Sequence, residues 1–319
     1  MSAETLAGNL SGSTAGGRRR LLVVINPMAS AVTSTACTVL LSALRSRFEV
    51  VPAVTDAKGH ARALTQDAIA SGMDAVVTFG GDGTANEVAN ALVGTDIPLR
   101  CLPGGSANVF CGVSGTSREL PEALNQLLAK ADDWGTRTVD TGSVNGRRFL
   151  FNSGVGLDAA VLAGVDARPD LKRRWRQWWY ATEATRKMLG DYRLLPPKLR
   201  FQDSDTISGV AVVVQNGRPW TYFGAHPVTV SSDAALTTGS LSATIVDLPR
   251  PWDYPTLAWR AFSGRGAEGH PRTTVRTNGE FTVTRSDGEP VDIHVDGDHI
   301  GRFDRADYSV QARAIHVLT

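Results

Sequence analysis

Neither sign of charge dominates this chain: 33 Lys and Arg residues stand against 32 Asp and Glu in 319 residues. No global basic field of the kind that draws a protein to nucleic acid is present. Long apolar runs are missing too, none reaching the ~18 residues that a membrane-crossing helix requires. Cysteine is scarce. Cys37, Cys101 and Cys111 are odd in number and lack metal-ligand spacing, which fits a reducing, cytoplasmic compartment rather than a disulfide framework. His60, His226, His294 and His299 show no ligand spacing either, and no internal repeat is evident. Of the familiar phosphate-binding signatures, no Gly-Lys-Ser/Thr completes a Walker loop, and the glycine motif at Gly80–Thr84 is not the dinucleotide G-x-G-x-x-G. What remains is globular, with 42% hydrophobic and 20% charged residues, in a chain long enough for two domains.

Glycine is what the chain has in excess: 32 of 319 residues, about one in ten against a usual ~7%. After a Ser/Gly/Thr-rich stretch ending in Gly-Gly-Arg-Arg-Arg, the run Leu21–Ile25 is too short for a signal-peptide core. Residues 1–20 therefore read as a disordered tail or leader. Leu21–Ile25 itself reads as a buried strand stopping at Asn26-Pro27. Strands at Glu49–Thr55, Ala75–Phe79 and Ile97–Leu102 alternate with helices at Ala36–Phe48, Ala61–Ala70 and Asn86–Leu92. Such alternation predicts a parallel sheet covered by helices, with ligands at the carboxyl ends of the strands.

Beyond residue 136 short strand-like runs separated by turns predict an all-β sandwich, interrupted by a helical stretch at Asp170–Leu189. The predicted domains are residues 21–136 and 137–305, with 306–319 returning to the first.

Gly80-Gly81-Asp82-Gly83-Thr84 is the strongest motif. Glycines after a strand let the backbone turn tightly and approach a phosphate, and the following helix offers free N–H groups and a partial positive charge. Asp82 suits a metal- or water-mediated contact to phosphates. The plainer alternative is a helix-initiating turn capped by Asp82 or Thr84. A second glycine loop, Gly104-Gly105-Ser106-Ala107-Asn108, also follows a strand, and Asn26-Pro27 and Thr55 with Lys58-Gly59-His60-Ala61 end two more on the same edge. Four such strand ends fit a nucleotide site.

These four motifs, in this order, resemble the diacylglycerol kinase catalytic-domain family, which includes bacterial diacylglycerol kinases, sphingosine and ceramide kinases. Asn152 to Asp158, Gln215-Asn216-Gly217 and Phe223-Gly224 extend the resemblance over residues 21–319. It implies an N-terminal α/β domain like that of NAD kinases and phosphofructokinases, and a C-terminal lipid-binding β-sandwich. It implies an ATP-dependent lipid kinase, with diacylglycerol the expected acceptor, visiting the membrane surface from the cytoplasm. ATP and Mg2+ would be the cofactors, nucleic acid would not be a partner, and a homodimer is left open.

By position, Asn26, Pro27, Thr55, Gly80, Gly81, Asp82, Gly83, Thr84, Asn86 and Ser106 would bind the nucleotide. The family's acidic base maps to Asp298 in Asp296-Gly297-Asp298 or to Glu289 in Asp287-Gly288-Glu289. The alternating strand Val291–Val295 before it and the apolar strand Ala314–Leu318 after it favour Asp298. Asp82 and Asp298 are thus the expected catalytic pair. Two positions depart from the pattern. Thr238 stands where the family's aspartate binds a structural magnesium, so that metal site is not expected. Val109 replaces a frequent aspartate. The glycine motif alone also permits a kinase of the NAD kinase type, and the two departures permit a decayed nucleotide- or lipid-binding regulator. Finally, Lys172 to Tyr180 interleaves basic and indole side chains, which suits an anionic bilayer surface, nucleic acid, or a helix packed on the β domain.

Overall fold

The structure, a computed structural model, describes residues 18–156, 198–250 and 252–319. The helical stretch at Asp170–Leu189, the basic and aromatic run from Lys172 to Tyr180, and Leu157 and Asp158 lie outside the described residues, as does most of the N-terminal tail.

Strand β1 (Arg20–Ile25) lies between β2 (Glu49–Val54) and β3 (Ala75–Gly80), and β4 (Leu99–Pro103) pairs with β3, all in parallel. Side chains of a strand alternate between faces, so β1 feeds two cores. Leu21, Val23 and Ile25 pack with Leu40 and Leu44 of helix α1 (Ser34–Arg45) and with Leu124 and Leu127. Leu22 and Val24 pack on the opposite side with Ala61 and Ala68 of α2 (His60–Ala70) and with Val88 and Leu92 of α3 (Asp82–Leu92). A parallel sheet covered on both faces has no use for polar alternation, which is why these strands read as continuous apolar runs. Leu124 and Leu127 belong to α5 (Leu120–Ala129), which has Pro121 near its start. Between β4 and α5 lies a single turn, α4 (Val109–Val113).

The second half is antiparallel. Strands β5 (Thr136–Val144), β6 (Arg147–Phe149), β8 (Leu199–Gln202), β9 (Thr206–Gly209), β15 (Glu280–Arg285) and β18 (Arg305–Leu318) continue the first sheet to ten strands. The facing sheet runs β14 (Thr273–Asn278), β13 (Leu241–Val246), β10 (Ala211–Gln215), β7 (Asn152–Gly156), β16 (Val291–Val295), β17 (Asp298–Phe303). A small hairpin of β11 (Thr221–Phe223) and β12 (His226–Val228), and helix α6 (Asp253–Phe262), stand off this frame. The core between the sheets combines Phe201, Phe281 and Tyr308 of one with Val155, Val212, Ile245 and Ile293 of the other. Phe281 stacks on Tyr308 with centroids 4.8 Å apart. The chain is thus an α/β half followed by a β-sandwich half, as the alternation and the later turn-separated runs predict.

Three local readings change. Helix α3 begins at Asp82, not Asn86, so Asp82, Gly83 and Thr84 form its first turn. The run Arg148–Asn152 divides into β6 and the start of β7. The last strand begins at Arg305, nine residues before the apolar segment at Ala314. Its polar stretch extends because β15 pairs on one side and β5 on the other. At its far end, Val317 pairs in parallel with Leu99 of β4. β18 therefore belongs to both halves.

Candidate nucleotide and phosphoryl-transfer site

Of the ten nucleotide positions, five (Asn26, Thr55, Gly83, Thr84, Asn86) line one cleft of about 420 Å3, together with Asp298. Met28, Asp56, Lys58, Glu87, Arg147 and Asp296 complete most of its wall. Two halves of the chain meet here: strand ends and the first turn of α3 on one side, the β16–β17 turn on the other.

The glycine loops owe their composition to each other. A Cβ on Gly104 would stand 2.8 Å from the Gly80 nitrogen, and one on Gly105 would stand 2.7 Å from the Gly81 Cα. The two loops touch backbone to backbone, with the Gly104 N–H donating to the Gly80 carbonyl at 2.9 Å. Gly83 differs: nothing lies within 4 Å of where its Cβ would be. It is the exposed glycine of the cleft wall, in the first turn of a helix whose N–H groups and dipole favour an anion.

Asn26 ties the loops in place. Its Nδ2 donates to Thr84 Oγ1 at 2.9 Å and its Oδ1 accepts from the Met28 amide at 3.0 Å. Thr55 is buried, its amide donating to the Ile25 carbonyl at 2.9 Å. Pro27 is exposed on the first loop and Ser106 on the second, and neither lines the cleft. Gly80 and Gly81 lie behind the cleft wall, against the second glycine loop.

Asp82 points away from the cleft. Its carboxylate accepts from the amides of Val109 at 3.1 Å and Phe110 at 2.9 Å, anchoring α4 beneath the loop. Burial pushes its carboxyl up, while those amides and the Arg118 charge pull the other way. Val109, where an aspartate is frequent in the family, is buried against this carboxylate. The geometry thus gives Asp82 a positioning task.

Asp298 and Glu289 are now distinguishable by place. Asp298 opens β17 at the cleft, with Lys58 Nζ 3.6 Å from its Oδ2. Glu289 is exposed on the turn that joins β15 of one sheet to β16 of the other, where its amide donates to Asp287 at 3.2 Å.

Sequence reasoning passed over Asp296. This residue adopts a left-handed backbone at φ 48° and buries its carboxylate beneath the cleft. It accepts from the amides of Leu150 (2.8 Å), Phe151 (3.0 Å) and Asn152 (3.2 Å) and from Asn86 Nδ2 (2.8 Å). Asn86 is thereby fixed to the other half of the molecule. Burial pushes the Asp296 carboxyl up to about 6, against the pull of these donors. An Asp-Gly pair after a strand reads as a turn; the three amides that hold it come from a segment ~150 residues away, which no local pattern reveals. Arg147 of the β5–β6 hairpin was missed for the same reason.

The loop at Thr238, where the resemblance implies a structural magnesium, is closed by hydrogen bonds. Thr238 Oγ1 lies 3.2 Å from the Ala235 carbonyl and 3.1 Å from that of Ser240, and accepts from Ser240 Oγ at 3.1 Å. The nearby carboxylate of Asp140 is buried and accepts from the amides of Gly239 (2.7 Å) and Arg313 (2.8 Å). Both donors sit on residues with positive φ. Among the described residues no group of three His, Cys, Asp or Glu is placed to share a cation. A hard divalent ion requires several oxygens with charge among them, and this loop does not fit one.

Comparison with known proteins matches this architecture. Residues 20–144 match the model of the diacylglycerol kinase catalytic domain. The protein named probable lipid kinase YegS-like of Pseudomonas aeruginosa is 30% identical over 287 residues, covering 84% of this chain and 85% of that protein. A diacylglycerol kinase of Mycobacterium tuberculosis is 29% identical over 193 residues, 58% of this chain and 59% of that one. The crystal structure of a diacylglycerol kinase from Bacillus anthracis shares the fold, with a TM-score of 0.69 at 18% identity over 95% of this chain and 97% of the other. The chain belongs to the diacylglycerol kinase catalytic-domain family of lipid kinases.

Proposed function

We propose that this protein transfers the γ-phosphoryl group of MgATP to the free hydroxyl of a membrane lipid, diacylglycerol, giving phosphatidate and ADP. The convergence of Asn26, Thr55, Gly83, Thr84, Asn86 and Asp298 on one cleft from both halves of the chain carries this reading. The nucleotide lies with its phosphates against the first turn of α3, where Gly83 leaves room for close backbone approach. Magnesium bound with the nucleotide would supply charge neutralisation on the transferring group.

Asp298 is the base. Its carboxylate accepts the proton of the lipid hydroxyl as that oxygen attacks the γ-phosphorus and the bond to the ADP oxygen breaks. Lys58, beside it, faces the developing negative charge. Asp296 does not touch the reacting atoms; it fixes the turn that presents Asp298 and holds Asn86.

The test is phosphoryl transfer from labelled ATP to total membrane lipid, purified diacylglycerol and NAD in parallel, with products identified by mass. Label in phosphatidate supports the proposal. Label in another lipid moves the acceptor, label in NADP overturns the lipid reading, and nucleotide binding without transfer to any acceptor supports a regulator.

A further inference from the structure

Helix α6 is built inside out. Its outward face carries Trp252, Pro255, Trp259 and Phe262, at spacings of three, four and three residues, which place them in one stripe. Trp252 is 67% exposed, Trp259 54% and Phe262 51%, with Leu248 on the approach at 46%. Four of the seven large exposed hydrophobic residues among those described fall in this segment of fifteen. None of the helix's residues is buried. A helix on a water-soluble surface normally turns such a stripe inward, and a contiguous exposed apolar patch marks an interaction site.

Around this stripe four arginines stand with three carboxylates, of which Glu268 is turned to Ser231 and Ser232. Arg272 is neutralised by Asp247 at 2.9 Å and Asp253 at 3.5 Å, and the Arg260 guanidinium is held by backbone carbonyls including Gly266. Arg250 and Arg265, at the two ends of the helix, form no ion pair among the described residues. Each lays its guanidinium over a tryptophan: Arg250 5.7 Å from the Trp252 centroid, Arg265 4.8 Å from Trp259.

We infer that α6 with its flanks is a docking surface for an anionic lipid bilayer. The choice of a bilayer as occupant rests on the lipid-kinase reading and on the chemistry of the stripe. Indole rings favour the headgroup level and arginines anionic headgroups. A second copy of this chain is a poor alternative, because a two-fold contact through α6 would set Arg250 and Arg265 of one copy against the same arginines of the other. The helix is also anchored to the elements behind the glycine loop. The Thr229 amide donates to the Ala261 carbonyl at 2.9 Å, and Phe262 meets Phe223 of the β11–β12 hairpin edge-on at 6.1 Å. Tyr222 of that hairpin packs on Gly112 of α4, the turn held by Asp82. Docking through α6 thus sets the enzyme on the surface that presents its acceptor.

The experiment is co-sedimentation of the full chain with vesicles of phosphatidylcholine alone or with about 30% phosphatidylglycerol, the anionic lipid that arginines attract. Wild type is expected to bind the anionic vesicles, and Trp259→Ser/Phe262→Ser to bind at least about tenfold more weakly. Arg250→Gln/Arg265→Gln should lose the preference for anionic lipid while keeping binding to neutral vesicles. Turnover of a short-chain diacylglycerol dispersed as monomers should be the same in all three. Unchanged vesicle binding by the aromatic variant overturns the inference, as does a wild-type dimer that the variant dissolves. The arginine variant carries the test should the aromatic one fold poorly. Binding is read without turnover, so a protein that docks but phosphorylates no lipid refutes the proposed activity alone; one that phosphorylates dispersed lipid yet never docks refutes this surface alone.

Discussion

Lys58 Nζ stands 3.6 Å from Asp298 Oδ2 across the mouth of the cleft, joining the end of β2 to the start of β17. Both side chains are largely in water, so the pair contributes at most ~1 kcal/mol to stability. Its weight is in function. Lys58→Ala should leave the melting temperature unchanged and raise KM for ATP about tenfold, as loss of one charge-assisted phosphate contact does. Asp298→Asn should lower kcat by about two to four orders of magnitude, the usual range for a general base, while Glu289→Gln leaves it unchanged. Steady-state kinetics on the three variants checks this; a dead Glu289→Gln beside an active Asp298→Asn would reverse the assignment of the base.

The two kinds of glycine in the phosphate loops should respond oppositely to alanine. Gly83→Ala meets open space within a helix, so it should stabilise by ~0.5–1 kcal/mol. It should also weaken ATP binding roughly tenfold by keeping the phosphates off the backbone. Gly104→Ala would push a methyl to 2.8 Å from the Gly80 nitrogen, with the ~1–3 kcal/mol cost of overpacking. Melting curves and nucleotide titration of the pair separate the two.

Asp296 gives stability a pH dependence with a definite sign. Its carboxyl titrates at about 6 in the folded chain and near ~3.9 when unfolded. Between those values the native state holds a proton that the unfolded state lacks. The group's contribution is full below pH ~4 and is lost as pH rises through ~6. The difference in melting temperature between wild type and Asp296→Asn, followed from pH 4 to 7, should therefore fall. A difference that grows with pH would mean that the four donors outweigh burial.

Magnesium should not hold the loop at Thr238. Chelation should leave the melting temperature of the nucleotide-free protein within about a degree, while Thr238→Val should lower stability by roughly 1 kcal/mol through its lost hydrogen bonds. A rise of several degrees on adding Mg2+ alone would show a cation site in the fold.

The first half of the molecule was legible because its signals are local. Leu21–Ile25 ends at Asn26-Pro27, and Ala75–Phe79 runs into glycine; each strand end marks a wall of the site. What was illegible depends on contacts between distant segments. Nothing near Asp82 indicates that α4, 27 residues on, takes its carboxylate. Nothing near Asp296 indicates the amides of Leu150 to Asn152. Both aspartates sit in Asp-Gly pairs, and both proved to be anchors, whereas the half-exposed Asp298 two residues later faces the cleft beside Lys58. The polar part of β18 was legible but passed over: Ala306, Tyr308 and Val310 alternate with Asp307, Ser309 and Gln311, the period of a half-buried strand. Helix α6 was not anticipated: the only helix expected in the second half was Asp170–Leu189, and Asp253–Phe262 carries Pro255 and a stripe that meets no core.

β18 also bears on how the cleft can move. Enzymes built from two parts around a nucleotide commonly close by rotating one part about a flexible linker. Here a strand paired with β15 at one end and with β4 at the other spans both parts, and its ladder with β5 lapses between Gln311 and Ile315. Arg313, at φ 51°, lies inside that lapse with its amide on Asp140. A strand shared by both parts ties them together, so the free linker that such a rotation uses is missing along β18. The buried carboxylate of Asp140, remote from the cleft, holds both the kink at Arg313 and the loop at Gly239.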